Sequence, residues 1–380
     1  MKADSTFQSD VSLSALARIR HDVQGMHAYA VQDATGLLKL DAMENSHRLP
    51  PQLRAELGRR LGEVAINRYP GPSVDALKAA LHAYAAPPEG WSLMLGNGSD
   101  ELISLLAMAC DIPGASIVAP VPGFVMYAMS AQLQGLAFHG VPLSADFELN
   151  EAAMLAAIAQ HRPAIVYLAY PNNPTANLWD AGAIERIIDA QGAQGGLVVM
   201  DEAYQPFAAA SWIDRARAEP ARHAHVLIMR TLSKFGLAGV RLGYLLGDAR
   251  LIGELDKVRP PYNVSVLNAE CALFALEHES VFAAQAQDIR AARAALLEAL
   301  AQTPGVRAYP SEGNMILVRV LGQGTHDEGA AARVFEGMKT RGVLVKNVSK
   351  MHPSLANCLR LTVGTADENA RQLAALQASL

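Results

Sequence analysis

Shortly past the apolar run HVLIM lies Arg230-Thr231-Leu232-Ser233-Lys234-Phe235-Gly236, where a lysine stands among small and apolar residues. Such a lysine can be desolvated into its neutral form, and a neutral amine condenses with a carbonyl, so Lys234 is a candidate for Schiff-base chemistry. Taken singly, a solvated or ion-paired lysine explains it as well. Three other apolar runs end in chemically capable residues. GLVVM runs into Asp201-Glu202-Ala203-Tyr204, AIVYLAY into Pro171-Asn172-Asn173-Pro174-Thr175, and SLML into Gly96-Asn97-Gly98-Ser99-Asp100-Glu101. An acid directly after a buried strand is costly unless it meets a cation. Adjacent strand residues face opposite sides, so one carboxylate of Asp201 and Glu202 faces the site and the two are not a glycosidase pair. The glycine turn before a helical run offers backbone N–H groups and a positive dipole end to a phosphate. Alone, a helix capped by Ser99 or Asn97 accounts for the same residues. The run lacks the glycines and lysine of a Rossmann or Walker fingerprint.

These residues need elements to hold them. SLML, SIVAP, AIVYLAY, GLVVM and HVLIM are apolar on both faces and alternate with helical stretches, which predicts an α/β fold with a mostly parallel sheet covered by helices. In such sheets ligands bind beyond the carboxyl ends of the strands, where the polar motifs stand. Arg259-Pro260-Pro261 breaks helix and strand alike and marks a boundary. Beyond it, QDIRAARAALLEALA places Ile289, Ala292, Leu296 and Leu300 on one stripe, followed by strands MILVRV, GVLVK and CLRLTVG. The expected division is a large domain over 50–260 and a smaller α+β domain from 1–49 and 261–380. A chain of 380 residues, at roughly 150 per domain, accommodates both.

Composition excludes several classes. Lysine plus arginine total 32 against 37 acids, a net charge of -5, so no nucleic-acid partner is expected. No apolar run approaches the roughly 18 residues of a membrane helix and the N-terminus lacks an unbroken apolar stretch, which predicts a cytoplasmic protein without membrane contact. Cys110, Cys271 and Cys358 are too few and too scattered for a disulfide framework or a zinc site, and read as reduced core or near-core thiols. His223 and His225 alternate at strand spacing without a further ligand and read as surface histidines; no metal site is expected. There is no GxSxG elbow for a serine hydrolase.

The set changes the reading of its members. A phosphate cradle, an asparagine, an acid, a tyrosine, a lysine and an arginine, each after a strand, match what pyridoxal phosphate requires: a lysine for its aldehyde and an acid for its ring nitrogen. From LDAMEN near 40 through NRYPGP, GNGSDE, YPNNPT, DEAY and RTLSKFGLAGVRLGY to NCLRLTVGT near 360, the sequence resembles the fold type I pyridoxal-phosphate aminotransferases, and within them the histidinol-phosphate aminotransferases. That resemblance covers most of the chain, with the motifs in the family's order.

The resemblance implies that Lys234 carries pyridoxal 5'-phosphate and shuttles a proton between the substrate α-carbon and the cofactor, that Asp201 keeps the ring nitrogen protonated, and that Asn173 and Tyr204 hydrogen-bond the ring oxygen. Ser233, Arg241 and the backbone at Ser99 and Asp100 would bind the phosphate, and Phe124 would stack on the ring, with core packing as its plain alternative. Tyr69 matches a tyrosine that reaches the partner subunit's phosphate, which implies a homodimer with shared sites. Arg360 matches an arginine that grips an anionic substrate group, and a structural ion pair is the alternative. Lys346 stands where many relatives place a second arginine for the substrate phosphate, and it binds as a point charge rather than a fork. Met43, Ser46 and His47 depart from the family's LDANENP-like segment. The implied reaction moves the amino group of L-histidinol phosphate to 2-oxoglutarate, giving imidazole-acetol phosphate and glutamate. Aromatic amino-acid transamination, phosphothreonine-type decarboxylation and non-catalytic pyridoxal-phosphate binding are the rival readings.

Overall fold

Every apolar run read as a strand between residues 91 and 231 is one in the computed structural model. The structure describes residues 14–26, 32–322, 327 and 329–380. Two compact units divide the chain. In the first, Met1–Thr35, a one-turn helix spans His21–Gln24, and Gln24 Nε2 donates to the carbonyls of Leu16 (2.9 Å) and Ile19 (2.7 Å).

The second unit, Gly36–Leu380, carries the strands. In chain order they begin with β1 (Leu38–Lys39), β2 (Trp91–Gly96), β3 (Ser116–Val121), β4 (Ala137–Pro142), β5 (Ile165–Ala169), β6 (Leu197–Asp201) and β7 (Val226–Thr231). They continue with β8 (Gly243–Asp248), β9 (Val306–Ala308), β10 (Met315–Val320), β11 (Val343–Leu344), β12 (Lys346–Asn347) and β13 (Cys358–Thr362). A seven-stranded sheet runs in the order β2-β8-β7-β6-β5-β3-β4, and a separate four-stranded antiparallel sheet in the order β12-β13-β10-β9. β1 pairs in parallel with β11.

Alternation within the strands explains the large sheet. In β5, Ile165 and Tyr167 point to one apolar layer and Val166 and Leu168 to the other, and all four are fully buried. Each such side chain contributes about 1.5–3 kcal/mol of hydrophobic stabilisation. One strand of this sheet runs against the rest, since β8 is antiparallel to both of its neighbours, β7 and β2. The short link from Thr231 to Gly243 turns back at one end of the sheet, and only a longer crossover would bring the chain round to enter in parallel. β4 escaped the sequence reading because it is an edge strand with Gly140 and Pro142 in it and one face open.

Other expectations shift in detail. The long helix Glu279–Ala301 buries Ile289, Leu296 and Leu300 as expected, but Arg293 is buried where Ala292 was expected. Its Nη1 donates to the carbonyls of Phe207 (3.2 Å) and Gly313 (3.0 Å), which satisfies the buried guanidinium. His223 is fully buried rather than on the surface. Its Nδ1 lies 2.9 Å from the Glu219 carbonyl and its Nε2 lies 3.3 Å from Glu185, so a loop preceding β7 tucks the ring inward. All three cysteines are free thiols, Cys358 buried and the other two half-buried. Among the described residues no helix is long and apolar enough to cross a membrane.

Candidate active site

The carboxyl ends of β5, β6 and β7 and the start of the helix Ser99–Ala109 converge on a cavity of about 330 Å³. At one end lies the helix start. Gly98, with φ 87° and ψ 170°, occupies backbone space essentially restricted to glycine. No side chain caps this helix, so the plainer alternative of a cap by Ser99 or Asn97 does not form and the first-turn N–H groups lack a side-chain cap. A Cβ at Gly98 would stand 2.8 Å from Arg241 Nη2, so the guanidinium lies directly against bare backbone. Arg241 Nη1 donates to Ser233 Oγ at 3.3 Å, and the Thr231 hydroxyl, 3.0 Å away, helps hold that serine. Uncapped N–H groups, a hydroxyl and a guanidinium together form a phosphate cradle.

Lys234 sits in the wide turn Ser233–Leu237, and its Nζ donates to the Ala42 carbonyl at 2.9 Å. Burial, with the neighbouring Arg360 and Arg241 cations, lowers its pKa to about 8 against an upward pull from Glu44. Such an amine is far more available as a nucleophile or base near neutrality than an ordinary lysine.

Asp201 ends β6 on the same face as Val199 and Tyr167. Its Oδ2 accepts from the Tyr127 hydroxyl at 2.6 Å and its Oδ1 from the Ala203 N–H at 3.0 Å. Burial raises its pKa to about 6, although both hydrogen bonds pull the other way. Among the described residues no lysine, arginine or histidine pairs with it, so the cavity holds a buried carboxylate awaiting a cation. Glu202 faces the other side and has its cation already: Arg230 Nε donates to it at 2.9 Å, with Ser211 Oγ and the Trp212 N–H also donating. The expected division between the two acids is therefore observed.

Asn173 Nδ2 donates to Tyr204 Oη at 3.1 Å, and Asn173 Oδ1 accepts from Arg360 Nη1 at 2.8 Å. Arg360, buried on β13, also donates to the Asp41 carbonyl at 2.9 Å. Phe124 lines the cavity with its ring edge-on to Tyr127 at 5.7 Å.

Nine of the twelve residues singled out from the sequence thus line one cavity, from Ser99 and Asp100 to Arg241. Arg360 is tied to it through Asn173. Lys346 pairs directly across from Arg360 in the β12–β13 register, which puts both cations on one face of the small sheet. Tyr69 lies elsewhere: it is 79% exposed and stacked on Tyr262 at 4.5 Å. Three contributors were not anticipated. Tyr127 is one helical turn past Phe124, the carbonyls of Asp41 and Ala42 carry no side-chain signature, and Glu44 lines the cavity beside Met43. Met43 has a φ of 51°, a conformation in which asparagine is far commoner than methionine, and is held by Thr362 Oγ1 (3.1 Å) and Asn314 Nδ2 (2.9 Å). Ser46 borders a neighbouring cavity instead.

The residues present fit pyridoxal phosphate on structural grounds: a cradle a Cβ would fill, a buried acid without a cation, and a desolvated lysine.

Comparison with known proteins agrees. Residues 35–376 match the family model for aminotransferase class I and II. The chain is 69% identical to the histidinol-phosphate aminotransferase of Acidovorax sp. (strain JS42), over 97% of this chain and 98% of the relative. It is 67% identical to that of Paracidovorax citrulli (strain AAC00-1), over 98% and 100%. In fold it is similar to the Sinorhizobium meliloti histidinol-phosphate aminotransferase solved with pyridoxal-5'-phosphate, with a TM-score of 0.81 and 23% identity over 96% of this chain and 98% of that one.

Proposed function

The chain belongs to the class I and II aminotransferases, and we propose that its cavity moves the amino group of L-histidinol phosphate to 2-oxoglutarate, in histidine biosynthesis. The observation that carries this reading is the meeting of Lys234, Asp201 and the Gly98–Arg241 cradle in one cavity, in a chain so similar to relatives of that name.

When bound, pyridoxal phosphate supplies an aldehyde that captures the amino group and a protonated ring that draws electrons from the substrate's α-carbon. The chain does the rest. Lys234 would hold the cofactor through its Nζ and, as a base, would carry the proton taken from the substrate's α-carbon. Asp201 would hold the proton on the ring nitrogen, and Asn173 with Tyr204 would hydrogen-bond the ring oxygen. Ser233, Arg241 and the N–H groups of Ser99 and Asp100 would bind the phosphate, and Phe124 would stack on the ring. Arg360 grips the anionic group of each substrate, the planar fork suiting carboxylate and phosphate alike, while Lys346 on the same face adds a second positive charge for the phosphate. Both half-reactions use these groups in turn, which makes the kinetics ping-pong.

A substrate panel tests the assignment. With 2-oxoglutarate as acceptor, kcat/KM for histidinol phosphate exceeds those for phenylalanine and tyrosine by about tenfold or more, as expected if the phosphate is gripped by charge-assisted hydrogen bonds. A higher value for either aromatic amino acid, or release of carbon dioxide from phosphothreonine, overturns it.

The active form is a homodimer in which Tyr69 reaches the partner's cofactor phosphate. Support comes from the stacked, exposed pair Tyr69 and Tyr262, aromatic surface of the kind that interfaces cover. Sedimentation equilibrium gives a dimer mass at micromolar concentration, and Tyr69→Ala weakens cofactor retention. A fully active monomer would falsify this arrangement.

A further inference from the structure

Tyr127 belongs to none of the motifs, yet it touches two walls of the cavity. It lies in the first turn of the helix Met126–Gln134 and is 2% exposed. Its hydroxyl donates to Asp201 at 2.6 Å, its ring lies nearly parallel to Tyr167 at 4.3 Å, and Phe124 stands edge-on to it at 5.7 Å. The stack fixes the ring plane, so the hydroxyl has one place to point. The Tyr167 hydroxyl, by contrast, is buried with no partner among the described residues.

The electrostatic surroundings make that one hydrogen bond matter. The groups acting on Asp201 include Asp100 on the helix Ser99–Ala109, the adjacent Glu202, and Tyr127, together with the backbone N–H of Ala203; Tyr167 on β5 and Tyr204 after β6 also sense its charge. Both acids push its carboxyl toward the neutral form, as burial does, and Tyr127 is the side chain that opposes them. Tyr127 itself stays protonated, since burial and the nearby carboxylate hold its pKa well above the ordinary value, and so it remains a donor. A neutral carboxylic acid would offer no charge to a ring nitrogen carrying a proton.

We propose that Tyr127 is a positioning residue that holds Asp201 as a carboxylate aimed at the cofactor's ring nitrogen, and thereby sets the lower pH limit of cofactor binding. The inference rests on the pyridoxal-phosphate reading above. Loss of the hydroxyl alone leaves the ring contacts with Phe124 and Tyr167 in place, so it acts on the cofactor only through Asp201.

The test is the affinity of the full-length chain for pyridoxamine phosphate from pH 5 to 8.5. This probe keeps the ring nitrogen and phosphate but has no aldehyde, so Lys234 forms no covalent link and does not shape the profile. In the unaltered chain affinity falls as Asp201 takes up its proton. In Tyr127→Phe, which keeps the ring and loses only the hydroxyl, the fall begins about one pH unit higher, and binding in the intervening range is weaker by roughly tenfold, the size expected for one lost hydrogen bond to a charged group. The gap closes toward pH 8.5. Tyr167→Phe, which removes a hydroxyl without a partner, follows the unaltered profile. If Tyr127→Phe also follows it, to within about 0.2 pH unit, the inference is wrong while the cofactor reading stands. If Asp201→Asn keeps the full acid limb, the ring-nitrogen role of Asp201 fails and the inference goes with it.

Discussion

Lys234→Ala lowers turnover of histidinol phosphate by roughly 10⁴-fold, the combined loss of a covalent anchor and a positioned base. The expectation follows from where the amine sits. Its hydrogen bond goes to a carbonyl rather than a carboxylate, and burial with Arg360 and Arg241 nearby brings its pKa to about 8. Stopped-flow measurement of the first half-reaction reads the loss directly. Borohydride treatment of the loaded protein adds the cofactor's mass at residue 234 in the unaltered chain and not in the variant. Comparable transamination by Lys234→Ala without added amine would assign the base to another group.

Asp201→Asn lowers kcat by about 10²–10³-fold, in the range seen when a preorganised charge partner of the transition state is removed. An amide has the shape of the carboxylate and its oxygen still accepts from Tyr127 or Ala203, but it cannot hold a proton on the ring nitrogen. Stability moves the other way. A carboxyl whose folded pKa is raised to about 6 burdens the fold when ionised, and the burden is relieved as pH falls from about 6 toward the unfolded value near 4. At pH 7 the cofactor-free variant therefore melts at or above the temperature of the unaltered chain. Thermal unfolding paired with steady-state kinetics separates the two effects, and undiminished kcat in Asp201→Asn would remove the acid from the mechanism.

Much of this site was legible before any coordinates because its parts follow strand ends. A doubly buried strand is recognisable by composition, and in a parallel sheet its carboxyl end is where ligands meet side chains. Asp201, Asn173 and Ser99 all stand just beyond such runs, and all reach the cavity. What stayed hidden has no local signature. The reversed direction of β8 depends on how the short link after β7 turns, and the edge strand β4 lacks the apolar run of its neighbours. Gly98 replaces a side-chain cap with an open cradle, a distinction of backbone angles rather than residue type. Tyr127 reads as an ordinary core aromatic, since its importance arises from Asp201, 74 residues away in sequence. His223 was misplaced because a histidine before a strand looks exposed unless the loop is known to fold inward.

The segment around Asp41 and Ala42 adds one consequence. Two adjacent peptide oxygens hold the Arg360 guanidinium and the Lys234 amine, each through a neutral acceptor. Letting go of a neutral acceptor forfeits about 1–3 kcal/mol, whereas parting from a buried counter-ion strands a charge at a cost of about 3–5 kcal/mol. The main chain thus acts as a parking place for both cations: it keeps them oriented while the cavity is empty and releases them cheaply when cofactor and substrate arrive with stronger claims.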